Sequence, residues 1–368
     1  MKKKLYSLLI LCPMAFFGLT SCLDDDSLAE DNTYEGNFEA CWKAMDEYYC
    51  FFDEKGVDWD SVYRLYKPYF CDSVKSSFSE FNLMANMLAS VRDGHVNLYS
   101  SFNTARYWKW FEDYPQNFDE TLLERYYLGT DYLMTSGMCY GILSDSVAYV
   151  RYASFSSTIG ETNLDYVLGL LSSAKGLIID VRDNGGGMLT NVTTLANRFC
   201  TEKTLYGYMQ HKTGKGHSDF SEPIALYLEP QDNRVQWNAS MQPVVILTNR
   251  SCYSATNNFV SAMKALDGDM TTDSLGVRRP KLIKTLGDRT GGGGGMPFET
   301  VLPNSWVLRF SACPTLDAQK QCIEEGIYPD MKVDMDSLHA YLLHVDDIID
   351  SARTYIKVNT RKKYAKKK

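Results

Sequence analysis

No two cysteines in this sequence are spaced CxxC, and no cysteine–histidine run has zinc-site spacing, although ten cysteines and five histidines are present. A metal centre built from local ligands therefore has no basis, and no cofactor is called for. Also missing are GxGxxG and GxxxxGKS/T, the phosphate-cradling patterns, and GxSxG, the nucleophile turn of many lipid and ester hydrolases. Positive charge is scarce. Lysine and arginine number 38 against 46 acidic residues, the net charge is -8, and no basic stripe lies outside the C-terminal RKKYAKKK. Nucleic acid is thereby excluded as a partner of the folded part. Beyond residue 22 no apolar run approaches the ~20 residues that a membrane-spanning helix needs.

What is present begins with a leader. Three lysines precede an apolar run over residues 5–19, which closes on Leu19, Thr20, Ser21 and Cys22. Residues 1–21 have the order of a secretory signal. The small residues before Cys22 resemble the bacterial lipoprotein signal, which implies lipidation of Cys22 and an anchor in the cell envelope. Residues 22–33 are acidic and nearly free of large apolar groups, as in a tether. Acidic residues directly after such a cysteine resemble the surface-export signal of Bacteroidetes lipoproteins, which implies the outer membrane and its outer face, with the periplasmic face as the alternative.

Four further segments follow. Over 34–100 apolar and aromatic residues recur at helical spacing, as in Phe38, Cys41, Trp42 and Met45 or Phe81, Met84, Met87 and Leu88, predicting a small helical domain whose aromatics form its core. Residues 101–138 read as a connecting segment too short for a peptide-binding PDZ module. Residues 139–350 read as an α/β core. The runs 176–181 (GLIIDV) and 243–247 (PVVIL) are almost wholly apolar, the mark of strands buried on both faces, and each leads through a loop into a helix, over 189–199 and 255–266. Such repeats imply parallel strands joined by right-handed crossovers, with sites at their carboxyl ends. Residues 351–368 read as a basic, solvated tail. Once Cys12 and Cys22 are set aside, eight cysteines remain. Cys313 could bridge Cys322, and Cys41 could bridge Cys50 or Cys71, or all could be buried small hydrophobes.

Acyl transfer needs a nucleophile, a base and donors for an oxyanion. Ser254 stands between a buried strand and a helix, where the helix field favours negative charge and the Ala255 N–H faces the same point, although a serine there can equally be an N-cap. The glycines at 185–187 follow the other buried strand and can present bare N–H groups or simply make a tight turn. His95 sits at an Asp-Gly turn, a position as compatible with structure as with chemistry.

Taken together, RDGHVNL (92–98), KGLIIDVRDNGGG (175–187), TNRSCYSATNNF (248–259), GDRTGGGGG (287–295) and EEGIYPD (324–330) resemble, in order and separation, the C-terminal processing (tail-specific) family of serine peptidases, in its tricorn-core-like branch. The resemblance implies a crotonase- or ClpP-like core of parallel strands and crossover helices, a protein or peptide substrate, Ser254 as nucleophile, and an oxyanion hole of Ala255 with Gly186. One departure stands out. Many members use a serine–lysine pair, and the lysine position falls in the glycine run 291–294, so the resemblance to the tricorn-like branch implies His95 as base. The group orienting His95 is open among Asp317, Glu324 and Glu325, and Asn257 stands where many relatives carry an acid. The alternative function is an inactive, peptide-binding lipoprotein on the same fold.

The leader generates a direct test. Cys22→Ser is expected to release the protein from the membrane fraction, since the rest of the chain has no other apolar anchor. Retention after a detergent-free wash would place the anchor elsewhere.

Overall fold

The computed structural model describes residues 31–72, 74–272 and 276–361. Cys22 and the leader lie outside the described residues. Seven strands form the central sheet, in the order Met331–Lys332, Ile283–Gly287, Val244–Thr248, Leu177–Asp180, Ala148–Tyr152, Met138–Ile142 and Leu133–Thr135. The first five run parallel and the last two are antiparallel additions at one edge. The two strands expected from their apolar runs sit side by side at its centre, Leu177 opposite Val244 and Asp180 opposite Leu247.

Both faces of these strands are buried, and the pleat divides their side chains. Leu177, Ile179, Val244 and Ile246 pack with Leu168 of the helix Glu161–Leu171, Val192 of Leu189–Ala196 and Phe259 of Ala255–Leu266. Ile178, Val245 and Leu247 point the other way, onto Ile349, Ala352 and Ile356 of the helix Asp347–Asn359. A strand covered on both sides cannot alternate apolar with polar, which is why its sequence reads as one run. The 351–359 stretch is thus part of a packed helix, where the sequence suggested the start of a solvated tail. Its basic residues belong to the outer face, and its two buried apolar positions, Ala352 and Ile356, which continue the helical spacing of Ile348 and Ile349, were hidden among them.

A second, antiparallel sheet of six strands is built around the long strand Val307–Asp317. It pairs with Asn97–Tyr99 and Gly295–Val301 along its first part and with Thr204–Met209 near its end. The expected N-terminal helices are present as Tyr34–Tyr48, Trp59–Asp72 and Ser77–Ala89, with a short turn of helix at Phe52–Lys55. Their apolar faces share one core with this sheet, Phe38, Met45, Phe81 and Met84 packing together with Leu308 and Phe310. The connecting segment supplies short helices and the edge strand Leu133–Thr135.

Two features tie these layers to the loops above the strands. Arg182, fully buried, donates to Asp180 Oδ2 at 2.6 Å, to Asp346 Oδ2 at 2.8 Å and to the Asn117 carbonyl at 3.0 Å. Asp346 also caps the last helix through Ile348 and Ile349 N–H, both at 3.0 Å. A guanidinium so enclosed needs all these partners, because a buried charge left unpaired costs several kcal/mol. The described cysteines Cys41, Cys50, Cys139, Cys200, Cys252, Cys313 and Cys322 are all free. Neither Cys313–Cys322 nor Cys41–Cys50 is bridged, and Cys41, Cys50 and Cys313 pack as small hydrophobes in the helix-and-sheet core.

Candidate active site

Two loops leave the carboxyl ends of the adjacent central strands, and two asparagines lock them together. Asn249 accepts from Asp183 N–H at 3.0 Å and donates to Asp183 Oδ1 at 2.6 Å. Asn184 Oδ1 accepts from Thr256 Oγ1 at 2.7 Å, and its amide donates to the Tyr152 carbonyl at 2.8 Å. The turn that results places Ser254 at φ 58°, ψ -121°, a left-handed position rare for a residue with a Cβ. Its N–H donates to the Gly292 carbonyl at 2.9 Å. Its side chain makes no helix-capping bond, so the simple N-cap reading fails. Ser254 Oγ lies instead 3.0 Å from His95 Nε2, 159 residues away in sequence.

His95 arrives from the other sheet, on the turn that leads into Asn97–Tyr99. The turn is held by Asp93, a buried carboxylate that accepts from His95 N–H at 2.7 Å, Tyr253 OH at 3.1 Å and Ser311 Oγ at 2.8 Å. Tyr253, the neighbour of the serine, meets the His95 ring edge-on with centroids 4.9 Å apart and stacks on Trp110 at 4.1 Å. Burial pushes the imidazole down to about 4, with Arg309 and Lys55 adding to the effect and Asp93 opposing it. The ring is therefore neutral at pH 7, as a general base must be. Burial alone would raise Asp93, but His95, Lys55 and its hydrogen bonds outweigh that and hold it below the usual carboxylate range.

The three acids considered for orienting His95 separate clearly. Asp317 serves its own turn, accepting from Gln319 and Gln321 N–H at 2.8 Å each. Glu325 is largely exposed and pairs with Lys55 at 2.7 Å. Glu324 is buried, pairs with Lys55 at 2.9 Å and accepts from Gly294 N–H at 2.8 Å, and burial together with Asp93 pushes its carboxyl up to about 8 against the pull of Lys55. None of the three bonds to His95, whose buried Nδ1 has no partner among the described residues. Asn257 is also buried, donating to the Ile323 carbonyl at 2.8 Å and accepting from Thr290 Oγ1 at 2.6 Å, so it braces the loop that carries Glu324.

The glycine run explains the missing lysine. It threads between Tyr253 and Glu324, where a Cβ on Gly292 would sit 1.8 Å from the Glu324 carbonyl oxygen and one on Gly293 2.5 Å from the Tyr253 ring. No side chain fits. Lys264 is committed to Asp330 at 2.5 Å and Lys284 to Asp267. Neither bonds to Ser254.

Of the two expected oxyanion donors, Ala255 N–H is the first of its helix and has no acceptor among the described residues. Gly186 is beside the serine but differently employed. Its N–H donates to Asn184 Oδ1 at 3.0 Å, while its bare Cα faces the Ser254 turn, where a Cβ would come within 2.8 Å of Ser254 Cβ and 2.6 Å of the Tyr253 carbonyl oxygen. With φ 102° as well, Gly186 shapes the turn. Asp93, Tyr253, Asn184 and Asn249 had no role in the sequence reading, although the Asp-Gly-His turn and the tyrosine next to the serine were in view.

Gly186→Ala is accordingly expected to lower the melting temperature and to slow acylation by roughly 100-fold together, the scale on which a misplaced catalytic group is felt. Slow acylation with an unaltered melting temperature would return its N–H to the oxyanion role.

Comparison with known proteins agrees with this architecture. The profile of Peptidase family S41 matches residues 146–272, and that of the Tricorn protease C1 domain matches residues 30–89. The crystal structure of a peptidase candidate from Parabacteroides merdae ATCC 43184 is 46% identical, with a TM-score of 0.80 over 89% of this chain and 97% of that one. Mature CPAF complexed with lactacystin shares the fold at 10% identity, with a TM-score of 0.63 over 89% and 98% of the two chains. The tricorn protease shares it at 15% identity, with a TM-score of 0.53 over 89% of this chain and 37% of that one. No curated protein matches. On the identity to the Parabacteroides chain, and on the two family profiles, the protein belongs to peptidase family S41.

Proposed function

We propose that the protein is a serine endopeptidase that cleaves protein or peptide segments through an acyl-enzyme, with Ser254 as nucleophile and His95 as general base. The observation that carries this reading is the 3.0 Å approach of His95 Nε2 to the hydroxyl of a serine held in a left-handed conformation and free of capping duty. As Ser254 Oγ attacks the scissile carbonyl, its proton passes to Nε2. The oxyanion forms beside the Ala255 N–H at the helix N-terminus, where the field is favourable. The imidazolium then gives its proton to the leaving amine, and water repeats the sequence to release the acid. His95 enters the cycle neutral, and Asp93 opposes the burial penalty that the imidazolium incurs within it.

An inactive peptide-binding descendant would keep the glycine turn without needing a strained serine in register with a buried imidazole. Lipidation at Cys22 would hold the peptidase on the outer membrane, at its outer face if the acidic tether acts as an export signal.

Ser254→Ala and His95→Ala are each expected to lower kcat/KM by at least ~1000-fold with the fold intact, because members of such a set act as a unit. Lys264→Ala and Lys284→Ala should stay within a few-fold of the parent. An inactive lysine variant beside an active His95→Ala would reverse the assignment of the base.

A further inference from the structure

A cavity of about 560 Å³, lined by neither Ser254 nor His95, has walls that include Asn32, Tyr34, Asn37, Glu80, Asn304 and Trp306. Glu80 is 2% exposed and lies in the first turn of the helix Ser77–Ala89. Only amides attend it. Asn37 Nδ2 donates to its Oε1 at 2.8 Å and Asn304 Nδ2 to the same oxygen at 3.3 Å. Among the described residues no cation is in ion-pair reach, and burial, offset only by those two amides, raises its pKa. A carboxylate this buried normally has a cationic partner, since desolvation without one costs several kcal/mol.

Asn37 adds an acceptor that is unsatisfied. It is 2% exposed, its amide nitrogen is fixed toward Glu80 Oε1 and Asn32 Oδ1, and its own Oδ1 is buried with no partner. Two aromatic rings, Trp306 and the half-exposed Tyr34, complete the wall. Both acceptor residues and both aromatic residues belong to the wall of one cavity. That combination suits a compact group with several N–H donors and a positive charge, the charge offsetting Glu80 and the rings adding cation–π attraction. A neutral polyol would use the acceptors and leave the carboxylate uncompensated.

We propose that this cavity is a binding site for a primary ammonium group, such as a lysine side chain of a polypeptide or a free alkylamine, with Glu80 and Asn37 as the recognising residues. It stands apart from the peptidase reading, because none of its walls touches Ser254 or His95.

The test is calorimetric titration of the full chain carrying Cys22→Ser and Ser254→Ala with Nα-acetyl-lysine methylamide, its Nε-acetylated form, n-butylamine and maltose. The lysine derivative should bind, and acetylating its amine should weaken binding at least ~10-fold, the scale of a charge-assisted hydrogen bond. Comparable binding of n-butylamine would mark a free-amine site, and clearly tighter binding of the lysine derivative a polypeptide site. Glu80→Gln keeps the shape and the acceptor for Asn37 and Asn304, so it should fold, match the parent in melting temperature or exceed it, and lose at least ~10-fold in affinity. Equal binding of the acetylated and free amines, a preference for maltose, undiminished affinity in Glu80→Gln, or no binding of either amine at millimolar concentration would overturn the proposal.

Discussion

Ser254 and His95 meet across two sheets, and most of what is distinctive in this structure serves that one distance. The serine follows a central strand of the mixed sheet, while the histidine precedes a strand of the antiparallel sheet. Neither sheet alone carries both residues. The join is made by Asp93, which takes hydrogen bonds from its own turn, from Ser311 on the long antiparallel strand and from Tyr253 beside Ser254. One buried carboxylate therefore registers the helical unit, the antiparallel sheet and the serine loop. Its three bonds offset its desolvation, and losing one would leave a buried acceptor short of a partner.

The electrostatic setting follows from the same burial. An enclosed imidazole stays neutral because Asp93 repays only part of the cost of charging it, which removes the need for the depressed lysine that the serine–lysine members employ. Lys55, brought in by the short helix Phe52–Lys55, lies between Glu324 and Glu325 and acts on Asp93 as well. Burial would lower Lys55, but these acids raise it and hold it charged. The N-terminal helices thus contribute charge to the catalytic neighbourhood as well as apolar surface.

Much of this was legible in the chain before any coordinates. The two buried strands, the loops that leave them, the helix after Ser254 and the N-terminal aromatic helices all follow from local pattern, because burial on two faces and helical periodicity are written in consecutive residues. The order of five motifs carried the family. What sequence hid was long-range pairing. Asp93 looked like a turn residue because its partners Tyr253 and Ser311 lie 160 and 218 positions away. At Gly186 the missed bond was local, its N–H going to Asn184 Oδ1 two residues before it in an Asx-type turn that the glycine pattern did not disclose. Ala352 and Ile356 were lost among charged neighbours, and the glycine run revealed its reason only once Gly292 was seen against Glu324.

The central claim is that a neutral, buried His95 activates Ser254, and it is tested most directly by the pH dependence of covalent labelling at Ser254 by a serine-directed phosphonate, followed by mass spectrometry. A base works only when deprotonated, so labelling must rise with pH through its pKa and level off above it. With His95 lowered to about 4, the rate should already be on its plateau at pH 6 and should fall only as the pH drops toward that value, with circular dichroism confirming that the fold persists. His95→Ala should abolish the plateau. A rate that keeps climbing toward the ordinary lysine range near pH 10, or a plateau that survives His95→Ala, would contradict it.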